Sequence, residues 1–275
     1  MTELWVKNDG VRLAVEQAGE GELPVVLLHG LTATRRYVVM GSRSLERAGH
    51  RVIAYDARGH GRSAPAPTPD EYRYEDLSRD LESVLDALRI PRAVLAGASM
   101  GAHTLLSFAL RAPERVAGMV VITPAYSGPS DVEEPARLAR WDRLAAGLRA
   151  GGVEGFVAAY DMTGVAPEFR ETVRTVIRQR LSQHEHPAAL ADALQAVPRS
   201  RPFAELAELA AIACPTAVVA SDDEPDPEHP KAVGEAYAAA IPGAVLVEDQ
   251  PGRSPIAWQG SQLSKVIAEV AARAT

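Results

Sequence analysis

The chain has 275 residues, 47% hydrophobic and 24% charged, enough apolar material for one substantial core or two smaller ones. A net charge of −7 offers nucleic acid no basic footprint and a membrane no polybasic patch. The one cysteine, Cys214, excludes an intramolecular disulfide and a cysteine-held metal.

The first elements expected are two short strands, around Leu4–Val6 and Val11–Gln17, joined as a hairpin through Asn8-Asp9-Gly10. Next comes Pro24–Leu28, a continuous apolar run that stops at His29-Gly30. Continuous rather than alternating apolarity suits a strand covered on both faces, as in a parallel sheet. The design recurs at Arg51–Tyr55 before Asp56, at Ala93–Ala96 before Gly97, and at Met119–Ile122 before Thr123-Pro124. Thr216–Ala220 and Ala244–Val247 complete the strands. Between them lie helical patterns: Tyr74, Leu77, Leu81, Val84, Leu85 and Leu88 at three- and four-residue spacing, then Met100–Leu110, and Val266–Val270 near the end. Strands alternating with helices predict an α/β fold with a mostly parallel sheet. From about Ser127 to Phe203 the rhythm changes to helices alone: Ala136–Leu148, Val153–Asp161, Glu168–Leu181 and Ala188–Ala196. Such an interval reads as a helical lid over the strand ends, with Trp141, Phe156, Tyr160 and Phe169 facing a core or a ligand. The expected organisation is a core of residues 1–126 and 206–275 and a cap of residues 127–205. With no basic-then-apolar leader at Met1 and no run near the ~18 apolar residues of a membrane span, a soluble, cytoplasmic protein is expected.

Gly97-Ala98-Ser99-Met100-Gly101 matches G-x-S-x-G with an apolar strand before it and a helix after it. That turn lifts a serine hydroxyl clear of the sheet, and its small flanking glycines let strand and helix approach closely. Ser99 also stands at a helix N-terminus, where the dipole and free N–H groups favour developing negative charge. On this motif and three others the chain resembles the capped branch of the α/β-hydrolase superfamily over essentially its whole length. The others are His29-Gly30-Leu31-Thr32, similar to the family's oxyanion loop, the turn Asp56–Ser63, and Ile241-Pro242-Gly243-Ala244 leading into the last strand.

The resemblance implies Ser99 as nucleophile and the backbone N–H groups of Leu31 and Met100 as oxyanion hole. It implies a triad acid after the next-to-last strand, where Ser221-Asp222-Asp223-Glu224 stands for G-x-x-D. Glu224 takes the acid position and Asp223 is the alternative. The histidine is expected as G-H-S-P, but this sequence reads Gly252-Arg253-Ser254-Pro255, so Arg253 fills the histidine position. A guanidinium stays protonated and has no acceptor lone pair, so Arg253 cannot take a proton from Ser99. Of the other histidines, His229 lies in the loop that begins at the acid position and is nearest in topology. His184 and His186 belong to the lid, His103 lies one turn beyond Ser99, and His29 is expected to brace its loop.

Three functions follow as expectations. The first is a serine hydrolase acting on an ester, thioester or lactone of a small molecule, with an atypical triad. The second is a non-catalytic small-molecule binder that keeps the pocket. The third is altered chemistry in which Arg253 holds an anionic group. No cofactor and no metal is expected: no strand is followed by G-x-G-x-x-G, and no ligand cluster appears.

Overall fold

The computed structural model describes residues 1–221, 229–248, 258 and 260–274. Its strands are β1 (Thr2–Asn8), β2 (Val11–Ala18), β3 (Val25–Leu28), β4 (Val52–Tyr55), β5 (Ala93–Ala98), β6 (Val116–Ile122), β7 (Thr216–Ala220) and β8 (Val245–Glu248). They form one sheet in the order β1-β2-β4-β3-β5-β6-β7-β8. The hairpin β1–β2 pairs antiparallel and joins β4 antiparallel; from β4 to β8 every pairing is parallel. This is the α/β architecture that the alternation of runs implied.

The continuous apolarity of the strands has a direct cause. Val26, Leu28, Leu95, Met119 and Val121 point into one buried layer, and Val25, Leu27, Val94, Val120 and Ile122 into the other. The first layer is covered by α2 (Tyr74–Ala87), α3 (Met100–Arg111) and α7 (Lys231–Ala240), through Leu81, Leu85, Leu105, Phe108 and Tyr237. The second is covered by α1 (Ser44–Arg47) and α8 (Gly260–Ala274), through Leu45, Leu263, Ile267 and Val270. With both faces roofed, period-two alternation has no solvent side to mark.

Between β6 and β7 the chain forms α4 (Pro135–Ala159), α5 (Arg170–Leu181), α6 (Pro187–Ala196) and short 3₁₀ turns, and residues 127–205, all described, contain no strand. The two segments expected around residues 136–161 lie end to end in α4, broken at Gly151 and at Gly152, whose φ of 58° suits glycine. Leu144, Leu148, Phe156, Leu181, Leu190 and Leu194 of these helices pack on Leu31, Ala57, Leu77 and Met100 of the core in a third apolar cluster.

Sheet order positions the site. The chain runs from β3 outward to β4, then returns to place β5 on β3's other side. The loops leaving β3 and β5 therefore diverge at a switch point, where an open α/β sheet forms a crevice at its carboxyl edge. His29-Gly30-Leu31 leaves β3 there and Ser99 leaves β5.

Candidate active site

Ser99 follows β5 directly and caps α3 with φ of 50° and ψ of −111°, a left-handed backbone rare for a residue with a side chain. Two hydrogen bonds hold the turn: Ser99 N–H donates to Ile122 O at 3.0 Å, and His103 N–H to Ser99 O at 3.0 Å. The flanking glycines are required by approach. A Cβ on Gly97 would lie 2.4 Å from the backbone of Gly101, and one on Gly101 would lie 2.1 Å from Leu28 O. Strand, turn and helix are thus packed backbone to backbone, which aims the strained serine out of the sheet.

Met100 is the first residue of α3, where N–H groups have no partner inside the helix. Across the crevice, Gly30 stands against Ser99, since a Cβ there would lie 3.6 Å from the serine Cβ. His29 sets the orientation of the peptide that carries the Leu31 N–H. Its Nε2 accepts from Ala57 N–H at 2.9 Å, so its proton is on Nδ1, which donates to Gly30 O at 2.8 Å. Ala33 N–H donates to the same oxygen at 3.0 Å. In a trans peptide the N–H points opposite to the C=O, so two donors on Gly30 O direct the Leu31 N–H the other way. Burial, with the neighbouring His60, pushes the His29 pKa down to about 4, which fits a bracing ring.

His229 is the histidine that reaches the serine: its Nε2 lies 2.7 Å from Ser99 Oγ, 130 residues apart in sequence. His29, His103, His184 and His60 are committed to other partners. His103 Nε2 accepts from the N–H groups of Ala125 at 3.1 Å and Tyr126 at 3.2 Å, and its Nδ1 lies 3.0 Å from the Tyr74 hydroxyl. Burial pushes its pKa down to about 3. His184, a histidine of the helical segment, is held by two backbone partners. Its Nδ1 accepts from Gly61 N–H at 3.0 Å and its Nε2 donates to Thr32 O at 3.2 Å, tying the helical segment to the loop that follows β3. His186 precedes α6 as its N-cap residue. His60 is buried between Leu31 O and Arg58 O, at 2.7 and 2.8 Å. Glu224, Asp223 and Arg253 lie outside the described residues.

The turn Asp56–Ser63 is a braced loop. Asp56 accepts from Arg35 N–H and Arg62 N–H at 2.8 and 3.0 Å and pairs with the Arg35 guanidinium. Arg58 forms a buried two-pronged pair with Asp80, at 2.7 and 2.8 Å.

A cavity of about 510 Å³ opens on Ser99 and His229, within the ordinary range for small-molecule sites. The core supplies Gly30, Leu31, Met100 and Tyr37; the helical segment supplies Trp141, Phe156, Tyr160, Val173, Val176 and Ile177. Phe169, paired with these aromatics in the sequence reading, is not among the lining residues. Arg137, Arg140 and Arg180 also line it and were not singled out from sequence. A signal existed for Arg180: Val173, Val176, Ile177 and Arg180 share one helical stripe, so the arginine falls on the apolar face.

A family model described as alpha/beta hydrolase fold matches residues 24–176. A protein of Variovorax paradoxus (strain S110), provisionally named carbamate hydrolase RutD, is 34% identical over 76% of this chain and 77% of its own length. Another curated relative, 43% identical, is matched over only 45% of this chain and 43% of its own. Among solved structures, a hydrolase from Pseudomonas aeruginosa PA01 superposes with a TM-score of 0.71 at 29% identity, covering 98% of this chain and 96% of that one. A thermophilic esterase from Thermogutta terrifontis gives 0.74 at 26% identity, covering 100% and 99%.

Proposed function

The chain belongs to the α/β hydrolase fold family, and from that premise we propose that it is a serine hydrolase of small-molecule esters, thioesters or lactones, with Ser99 as nucleophile and His229 as its base. The observation that carries this reading is the 2.7 Å separation of His229 Nε2 and Ser99 Oγ. A neutral imidazole in that position accepts the hydroxyl proton as Oγ attacks a carbonyl carbon. The charge that develops on the carbonyl oxygen is received by the N–H groups of Leu31 and Met100; loss of one donor from such a hole typically costs ~10²–10³ in rate. The imidazolium then returns its proton to the leaving group, and water repeats the sequence on the acyl-enzyme. Glu224 or Asp223 is the proposed acid that orients His229. The helices of residues 127–205 are the proposed lid that keeps the cavity apolar and excludes water.

The non-catalytic reading drew its force from the missing histidine. An imidazole 2.7 Å from the serine hydroxyl, on an elbow with positive φ, counts against it. The test is chemical. A fluorophosphonate should label Ser99 in the wild type, and Ser99→Ala should be unlabelled and inert toward p-nitrophenyl acyl esters. A folded Ser99→Ala protein that turns over these esters like the wild type would end the proposal.

A further inference from the structure

Three residues of the cavity wall carry a buried N–H donor without a partner among the described residues. Among the described residues, the buried polar side-chain atoms that lack a partner include Trp141 Nε1, Arg180 Nε and Trp258 Nε1, and all three residues line the cavity. Each is an N–H donor with no capacity to accept. A buried donor left unmade is costly, and on Arg180 it leaves a charged group short of an acceptor.

Charge points the same way. The Arg180 guanidinium stands over the Tyr37 ring, 5.5 Å from its centroid, and among the described residues it has no carboxylate partner. Arg137 spends one nitrogen on the carbonyl oxygens of Asp131 and Pro198, which are neutral, and likewise pairs with no described carboxylate. The acidic residue among the described lining residues is Asp161, which is exposed and accepts from Thr163 N–H at 2.9 Å. Arg137 and Arg180 thus bring positive charge to a largely apolar chamber with no carboxylate paired to either among the described residues. The catalytic step proposed above uses none of these groups.

We propose that the cavity selects substrates bearing a carboxylate separate from the bond to be cleaved, bound by the Arg180 guanidinium. This rests on the hydrolase reading of the same cavity. A planar carboxylate fits because its two oxygens match the guanidinium fork. Arg180 lies on the lid helix α5 and Ser99 on the core. A substrate held by both spans the two parts, which makes its anionic end a determinant of specificity.

Binding to the inert Ser99→Ala protein tests this without requiring turnover. The probes are the monomethyl esters of the straight-chain dicarboxylic acids from succinate to pimelate, each against its dimethyl ester, titrated by calorimetry. At one chain length or more the monomethyl ester should bind about tenfold or more tightly than the dimethyl ester, as a charge-assisted pair in a desolvated site requires. Arg180→Gln on the Ser99→Ala background should remove most of that discrimination, and Arg180→Lys should retain part of it. Equal binding of acid and neutral ester at every length overturns the proposal. So does full discrimination in an Arg180→Gln protein with an unchanged melting temperature. Fluorophosphonate labelling of the wild type reports separately on Ser99, so failure of this proposal and failure of the hydrolase reading give different results.

Discussion

At the scale of single residues the question is which side chain takes the Ser99 proton. His229 lies within 2.7 Å of the hydroxyl, and a ring in that place needs no help from position 253. His229→Ala should therefore lower turnover of an activated ester by about 10²–10⁴, the worth of a positioned general base. Arg253→His should change it little, because a second imidazole adds nothing to a base already in contact. Steady-state kinetics on a p-nitrophenyl acyl series checks both; a large gain in Arg253→His with no loss in His229→Ala would reverse the assignment. Ser99 was legible in sequence because its signal is local: two glycines, a strand before and a helix after. His229 was only a topological candidate, since its pairing joins residues 130 positions apart through the fold. No spacing rule reports such a contact. The same holds for Arg180, where a charge on an apolar stripe hinted at the cavity but nothing in sequence told which donors would lack partners.

At the scale of elements, the strands were readable because each is an apolar run with an abrupt stop. Their ends were less so: β5 continues to Ala98, paired with Ile122, and β6 begins at Val116. Tertiary pairing extends them past the residues whose composition marks a strand. The short α1 and the alanine-rich α7 carry little periodicity, and their helicity comes from packing on the sheet. The junction of β5 with α3 allows a sharper prediction. A Cβ on Gly101 would meet Leu28 O at 2.1 Å, Leu28 C at 2.5 Å and His29 O at 2.9 Å, all backbone atoms that cannot swing aside. Gly101→Ala should then push α3 away from the end of β3, costing about 1–3 kcal/mol of stability. The same shift separates Met100 from Leu31, the proposed oxyanion donors, so turnover should fall more than substrate affinity. Urea unfolding and kcat against KM measure the two; an alanine variant of wild-type stability and activity would show that the junction has slack.

At the scale of the whole molecule, the loops around the site share one kind of fastening. His29, His103 and His184 each use a ring nitrogen to accept a backbone N–H, from Ala57, from Ala125 and Tyr126, and from Gly61. A protonated imidazole has no lone pair for that bond, so each must be neutral in the folded chain. Burial enforces this, holding the three pKa values down to about 4, 3 and 3 against an ordinary value of 6.5. Above about pH 6.5 neither the folded nor the unfolded chain binds these protons, and the full stability is present. As pH falls below that, the unfolded chain takes up protons that the folded chain refuses. Stability then drops by as much as about 1.4 kcal/mol per pH unit for each histidine, until the folded pKa values near 4 and 3 are reached. At pH 5 each should have cost about 2 kcal/mol. The carboxylates whose pKa values are lowered, such as Asp142 and Glu154, add their losses only below their own unfolded values of 3.8 and 4.5. Between pH 6.5 and 5 the decline therefore belongs mainly to histidine. Stabilities from urea unfolding at pH 7 and pH 5 should differ accordingly, and His103→Gln, which keeps an acceptor for Ala125 and Tyr126, should reduce the difference by about 2 kcal/mol. Stability that is flat over this interval, or a slope untouched in His103→Gln, would mean that these rings are not the neutral fasteners their hydrogen bonds describe.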